Sequence, residues 1–213
     1  MQLLLASNNP KKAKELHRVL AAAHITGVEL LTLKDVPAYN EPVENGRTFE
    51  DNALIKARAG AANSGLPCLA DDSGLAVDEL NGMPGVLSAR WSGGDDQANN
   101  DLLLHQLAHA PAERRGAKFV SVCALVVPGG AEGATGAAGA AEYVVRGEWP
   151  GTIAFTETGD NGFGYDPLFL PQEQEDPKNP VSSAELTPDQ KDALSHRGRA
   201  LAQLVPVLQQ LLG

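Results

Sequence analysis

Residues 2–20 read QLLLASNNPKKAKELHRVL. An apolar run, QLLLA at 2–6, has the length and composition of a short buried strand. It breaks at a polar turn, and Leu16, Val19, Leu20 and Ala23 then recur at the spacing of one helix face. The start of that helix is punctuated: Asn8 or Asn9 can cap it, and Pro10 suits its first turn. A buried strand feeding a helix through a tight turn is the repeating step of α/β folds.

The same alternation continues outward. VELLTL at 28–33 reads as a second strand, followed by a polar loop rich in Pro, Asn and Glu. Thr48 opens a helix, FEDNALIKARAGAAN, that ends near Gly65 and Pro67. PCLAD at 67–71 and GLAVD at 74–78 read as two short strands meeting at Asp72-Ser73, and 95–109 as a helix. AKFVSVCALVV at 117–127 and EYVVRGEW at 142–149 are the clearest strands. Between them PGGAEGATGAAGAA is too small-sided to pack and reads as a mobile hairpin tip. A Gly-rich loop, GDNGFGYDP, precedes a short strand LFL and a polar stretch, QEQEDPKNPVSSAEL. The closing helix, SHRGRALAQLVPVLQQLL, carries an apolar stripe at Leu201, Leu204, Val205, Leu208 and Leu211, with Pro206 expected to kink it or remove one hydrogen bond. The alternation predicts α/β, and the long Val-rich pair with its hairpin suggests a mixed sheet.

Composition sets limits. The chain has 213 residues, 27 acidic against 17 basic side chains, and a formal net charge of −10. That surface disfavours a nucleic-acid partner, which needs basic stripes. A small polyanion remains admissible where local cations, or a bound metal ion, reverse the local sign. No apolar stretch has the length of a membrane span, and no signal peptide is read at the start, so no membrane partner is expected. Two cysteines, Cys68 and Cys123, match neither a disulfide framework nor a CxxC metal site. A cytoplasmic location is the expectation.

Four clusters could carry chemistry. SNNPKK at 7–12 puts Lys11 and Lys12 in a helix first turn, where the helix dipole disfavours cations unless an anion is near. It is either a capped helix with solvated lysines or a phosphate site. In LADDSG, Asp71 and Asp72 at a strand end suit a hard cation such as Mg²⁺, or an Asp-Ser-Gly turn. On a strand they face opposite sides and have different tasks. Thr48 and Asp51 are spaced as a capping box; the other reading joins Asp51 or Glu50 to Asp72 at a metal, and spacing favours the cap. GFGYDP and KDALSHRG combine Phe163, Tyr165 and Asp166 with Lys191, His196 and Arg197, with Ser195 as a natural cap. They read as a ligand-facing segment or a solvated basic helix end. His105 and His109 are spaced as zinc-binding pairs are, but HQLAH lacks the glutamate and an ordinary surface pair is expected. No GxxxxGK[ST] and no GxSxG occurs.

Taken in order, SNNPKK, FEDNALIKA, LADDSGLAVDELNGMPGVLSARWSG, GFGYDPLF and AELTPDQKDALSHRGRAL resemble the non-canonical purine nucleoside triphosphate pyrophosphatases, the inosine/xanthosine triphosphate (dITP/XTP) house-cleaning enzymes. The resemblance covers nearly the whole chain. It implies Mg²⁺-dependent hydrolysis of ITP, dITP and XTP to the monophosphate and pyrophosphate. It also implies a homodimer, and a single domain over 1–213 whose long mixed β-sheet with flanking helices forms two lobes around a deep nucleotide-binding cleft. It assigns Ser7, Asn8, Asn9, Pro10, Lys11 and Lys12 to the triphosphate, and Asp72 to proton acceptance and the metal. Ser73, Phe163, Gly164, Tyr165, Asp166, Lys191, His196 and Arg197 fall to substrate. Asp51 falls where the family often has a metal-linked Glu, one methylene short, so that the metal is reached through water or Glu50 takes the role. Two other readings remain: a pyrophosphatase for other nucleotides, separable by a triphosphate panel, and a module that binds without cleaving, separable by slow Mg²⁺-dependent turnover.

Overall fold

A computed structural model describes residues 1–129 and 139–212. The expected Gly/Ala tip lies, over 130–138, outside the described residues. In chain order the elements are β1 (Gln2–Leu5), α1 (Pro10–Ala22), β2 (Glu29–Thr32), α2 (Phe49–Ser64), β3 (Cys68–Val77), β4 (Met83–Pro84), α3 (Asp96–Gln106), β5 (Gly116–Val127), β6 (Ala141–Ile153), β7 (Phe169–Pro171), α4 (Pro188–Leu194) and α5 (His196–Leu212). Among the described residues, seven strands form one sheet in the order β2-β1-β3-β5-β6-β7, with β4 paired to β3. The sheet is mixed: β1 runs parallel to β2 and β3, whereas β3–β4 and β6–β7 are antiparallel.

By compactness the chain divides into two units. Unit one comprises Met1–Asp72, Ser121–Gly147 and Gly198–Gly213; unit two comprises Ser73–Val120 and Glu148–Arg197. Each has its own apolar core. In unit one Leu3, Leu5, Leu16, Leu20 and Leu125 pack with Leu201, Leu204, Leu208 and Leu211 of α5, and Val207 takes the place expected of Val205. In unit two Leu75, Leu103, Trp149, Leu168 and Phe169 do so. No helix among the described residues is long and apolar enough to cross a membrane.

Three expectations are corrected. The two short strands expected at 67–78 are one ten-residue strand, β3, carrying Asp71, Asp72 and Ser73 through its middle. The helix expected over 95–109 stops at Gln106, so His109 lies beyond it and the zinc-like spacing dissolves. Ser195 does not simply open the last helix: it is the C-cap of α4, a seven-residue helix whose capping box joins Thr187 and Gln190. Pro206 sits inside α5, which continues through it.

Candidate active site

In unit one, β1 ends at Leu5 and the turn that follows is built from its own side chains. Ser7 Oγ accepts from the Asn9 amide (3.1 Å), and Asn9 Oδ1 caps α1 by accepting from the Lys11 amide (2.9 Å). Pro10 occupies the first helical position, and no acid stands in that turn. Asn8 donates instead to Glu41 across the neighbouring loop. Lys12 reaches Asp71 (2.8 Å). A recess of about 160 Å³ opens here, lined by Ser7, Asn8, Lys12, Glu44, Lys56 and Asp71 among others.

Asp72 points to a different set of partners, as strand alternation requires. Its Oδ1 meets Lys56 Nζ (2.9 Å) and its Oδ2 accepts from Asn52 Nδ2 (3.3 Å). Asn52 and Lys56 lie one turn apart on α2, hence on one face. The preceding loop closes onto the same place. The Gly46 amide donates to Asn52 Oδ1 (2.9 Å), and Glu44 pairs with Lys56 (3.3 Å). A Cβ at Gly46 would run into Asp51 and Asn52, so glycine permits this approach. Burial raises the Asp72 pKa above the usual carboxylate range against the pull of Lys56. Burial also works against the Lys56 ammonium, but Asp72, Asp71 and Glu44 outweigh it and hold that pKa above its ordinary value.

In unit two, Ser73 Oγ accepts from Arg197 Nη2 (2.9 Å). Asp166, 2% exposed, organises the Gly-rich loop: its Oδ2 takes the Phe163 amide (2.8 Å) and the Lys191 ammonium, and its Oδ1 takes the Ser183 hydroxyl (2.8 Å). At Gly162, φ is +80° and a Cβ would meet Asp166 and Lys191, so glycine is required. The half-buried Phe163 ring has Lys191 Nζ 5.4 Å and Arg197 Cζ 6.0 Å from its centroid. An aromatic face flanked by two cations is suited to an electron-rich planar ligand.

The Ham1 family model matches residues 3–207. The chain belongs to the Ham1 family. A Corynebacterium efficiens protein named dITP/XTP pyrophosphatase is 61% identical over 216 residues, covering 100% of both chains. One of the same name from Nocardia farcinica is 60% identical over 212 residues, covering 99% of this chain and 96% of its own. A crystal structure of the Mycobacterium abscessus nucleoside-triphosphatase / dITP/XTP pyrophosphatase matches at 58% identity and TM-score 0.75, covering 98% of this chain and 100% of that one. A HAM1 protein from Coxiella burnetii matches at 37% identity and TM-score 0.81, covering 99% of each chain. The expected α/β architecture with a mixed sheet and flanking helices is therefore the Ham1 fold.

Within this Ham1 chain the site residues sort unevenly. Ser7, Asn9, Pro10 and Lys12 form the turn and recess at the start of α1, with exposed Lys11 beside them. Phe163, Lys191 and Arg197 come together in unit two. Tyr165 does not offer its ring to a ligand: it is 4% exposed, in the core, and donates its hydroxyl to Ser88 O (2.9 Å). Burial raises its pKa. Asp166 supports the loop from within, and His196, 6% exposed, stacks on Phe119 (4.9 Å between centroids). Asp51 and Glu50 are engaged elsewhere. Asp51 Oδ2 accepts the Thr48 and Arg47 amides as the capping box, and Glu50 pairs with Arg146 (2.7 Å). Among the described residues no three His, Cys, Asp or Glu side chains gather as a metal cage. Sequence reading gave no role to Asn52, Lys56 or Glu44. Its usable signal was Asn52 and Lys56 recurring one turn apart within an alanine-rich helix.

Proposed function

We propose that this Ham1-family nucleoside triphosphate pyrophosphatase hydrolyses dITP, XTP and ITP to the monophosphate and pyrophosphate, with Mg²⁺, as a cytoplasmic homodimer. The observation that carries the reading is the buried Asp72 carboxylate held between Lys56 and Asn52, with Glu44 paired to the same ammonium. The names of the full-length relatives support the substrate class.

The donor set fits Mg²⁺. That ion takes oxygen ligands, keeps several waters and needs only one or two carboxylates beside substrate phosphates. Asp72 and Glu44 are two such carboxylates about one cation, so the lack of a three-acid cage does not count against it. They would hold the metal, in place of the Asp51 or Glu50 that family resemblance suggests. When bound, Mg²⁺ supplies charge neutralisation at the phosphate oxygens.

The chain's own residues supply the rest. The positive end of the α1 dipole and the Lys12 ammonium favour a polyphosphate, and this accounts for a first turn with lysines and no acids. Lys56 adds a second cation in the recess. Asp72 takes a proton from the attacking water; the pKa that burial raises makes it a stronger base than a free aspartate. Phe163 covers the purine ring. Arg197 and Lys191 are donors with no acceptor capacity. They suit the C6 carbonyl of hypoxanthine or xanthine and oppose the amino group of adenine. A mismatch of this kind rejects a base by orders of magnitude.

The test is a triphosphate panel assayed for pyrophosphate with and without Mg²⁺. Asp72→Asn should abolish release from ITP while the far-UV spectrum is unchanged; near-normal turnover would remove Asp72 as the base. Arg197→Ala should narrow the preference for ITP over ATP, and an unchanged ratio would defeat the carbonyl-reading argument.

A further inference from the structure

The loop that presents Phe163 is held from behind by α3, an element without an assigned role. Asp96 Oδ2 accepts from the Gly164 amide (2.8 Å). Asn100, one turn further and 3% exposed, donates Nδ2 to Gly164 O (3.2 Å) and to Glu157 Oε1 (2.6 Å). Gln97 steadies the same Glu157 from the side (3.2 Å). Both peptide planes that flank Gly164 are thus pinned by residues at i and i+4 of one helix.

Three facts give these bonds a purpose. Gly164 has φ +62° and nothing within 4 Å of where a Cβ would stand, so no side chain of its own packs to hold it. Glycine crosses freely between left- and right-handed backbone, and it sits directly after the ring-bearing residue. An open recess of about 450 Å³ adjoins loop and helix, lined by Asp96, Asn100, Glu157, Phe163 and Gly164 among others. The hydrogen bonds to Asp96 and Asn100 tie the loop to the helix beside this recess. Finally, Asp96 is not needed as the α3 cap, because Asp95 accepts from the Ala98 amide (2.9 Å) and fills that role.

We propose that Asp96 and Asn100 are positioning residues that lock the Gly164 peptides and so set the plane of the Phe163 ring against the base. The inference rests on the reading that Phe163 covers the purine. Loss of the lock lets the ring wander, which weakens base binding and leaves the phosphate chemistry of unit one untouched.

The experiment is steady-state kinetics with ITP on the full chain, at saturating Mg²⁺. Asp96→Ala, a change at an exposed residue, should raise KM about tenfold, the size of one lost base stack, with kcat within about twofold. Asp96→Asn keeps an oxygen acceptor for the Gly164 amide and should restore most of the loss. Asn100→Ala should behave like Asp96→Ala if it folds; the Asp96 pair decides the matter alone. Inhibition by inorganic tripolyphosphate, which has no base, should be the same for all variants. Unchanged KM in Asp96→Ala, equal failure of Asp96→Asn, or an equal loss of tripolyphosphate inhibition would each overturn the proposal. A wild-type protein that released no pyrophosphate from ITP would instead overturn the substrate reading beneath it, and this inference with it.

Discussion

Lys56 is the residue on which Asp72, the proposed catalytic base, depends. Burial pushes the Asp72 pKa up, and Lys56 pulls it back. Asp72 must be charged to accept a proton, so the acid limb of kcat/KM should lie above the ordinary carboxylate value of ~3.9. Lys56→Gln removes the restraining cation, and the sign follows: the Asp72 pKa rises further and the limb moves to higher pH. Turnover at pH 7 should also fall, by about a hundredfold, if the ammonium meets developing phosphate charge. A pH–rate profile with ITP reads both, and a limb that stays in place would separate Lys56 from Asp72. The cysteines are the opposite case. Both are fully buried, and burial pushes the Cys68 thiol up to about 12. Only the thiolate is reactive. Iodoacetamide at pH 8 should therefore label neither residue in the native protein, and both once denaturant has unfolded it.

At the scale of elements, α2 is anchored at its start and crowded in its middle. Thr48 Oγ1 accepts from the Asp51 amide (3.1 Å) and Asp51 returns the bond to Thr48. Thr48→Ala should cost about 1 kcal/mol, or roughly 2–4 °C in Tm for a chain of this size. Hydrogen bonds from Thr48, then from Arg47, lower the Asp51 pKa. Its contribution is therefore complete above the unfolded carboxylate pKa and is lost as pH falls through the lower folded value. Asp51→Asn should melt below wild type at pH 7, the gap closing as pH drops below about 4. The same variant should keep pyrophosphate release within a few fold, as a cap and not a metal ligand would. At Gly60, a Cβ would strike Cys68 Sγ and crowd Ala6 and Leu4. Gly60→Ala should cost about 1–3 kcal/mol through overpacking.

These elements also explain what could be read in advance. α1 and α2 were legible because Asn9, Pro10, Thr48 and Gly65 are local signals, effective within a few residues. β3 read as two strands because Asp71-Asp72-Ser73 interrupts an apolar run. The sheet carries them because Lys12, Lys56 and Arg197, all distant in sequence, supply their partners. α4 announces itself through Thr187, Pro188 and Gln190, a capping signature that stood unread in a polar stretch. Asp72 was visible by its motif; Glu44, Asn52 and Lys56 were not, because only the fold brings the 44–46 loop, one face of α2 and β3 together. Spacing correctly made Asp51 a cap, which family resemblance had obscured.

For the whole molecule, the net charge of −10 makes the protein's general field unfavourable to a polyanion. Screening confines that field to about 10 Å at 0.1 M salt, so under the proposed function the local cations of the α1 recess outweigh it. The larger question is how two compact units behave on unfolding. Neither is a single stretch of chain: one is made of three segments, the other of two. The boundaries fall inside β3, β5, β6 and α5. A unit that unfolded alone would have to break three strands and a helix partway along, abandoning ladder and helix hydrogen bonds in the half that stayed folded. Independent domains avoid this by placing their boundaries in exposed linkers. Unfolding in urea should therefore be one cooperative transition. Two probes report on different units: Trp91 and Trp149 both lie in unit two, whereas the long helices α1 and α2 lie in unit one. Tryptophan fluorescence and far-UV circular dichroism should give the same midpoint and the same m-value. Separated midpoints would mean that the strands part at the boundaries, and that each core is sufficient for its own unit.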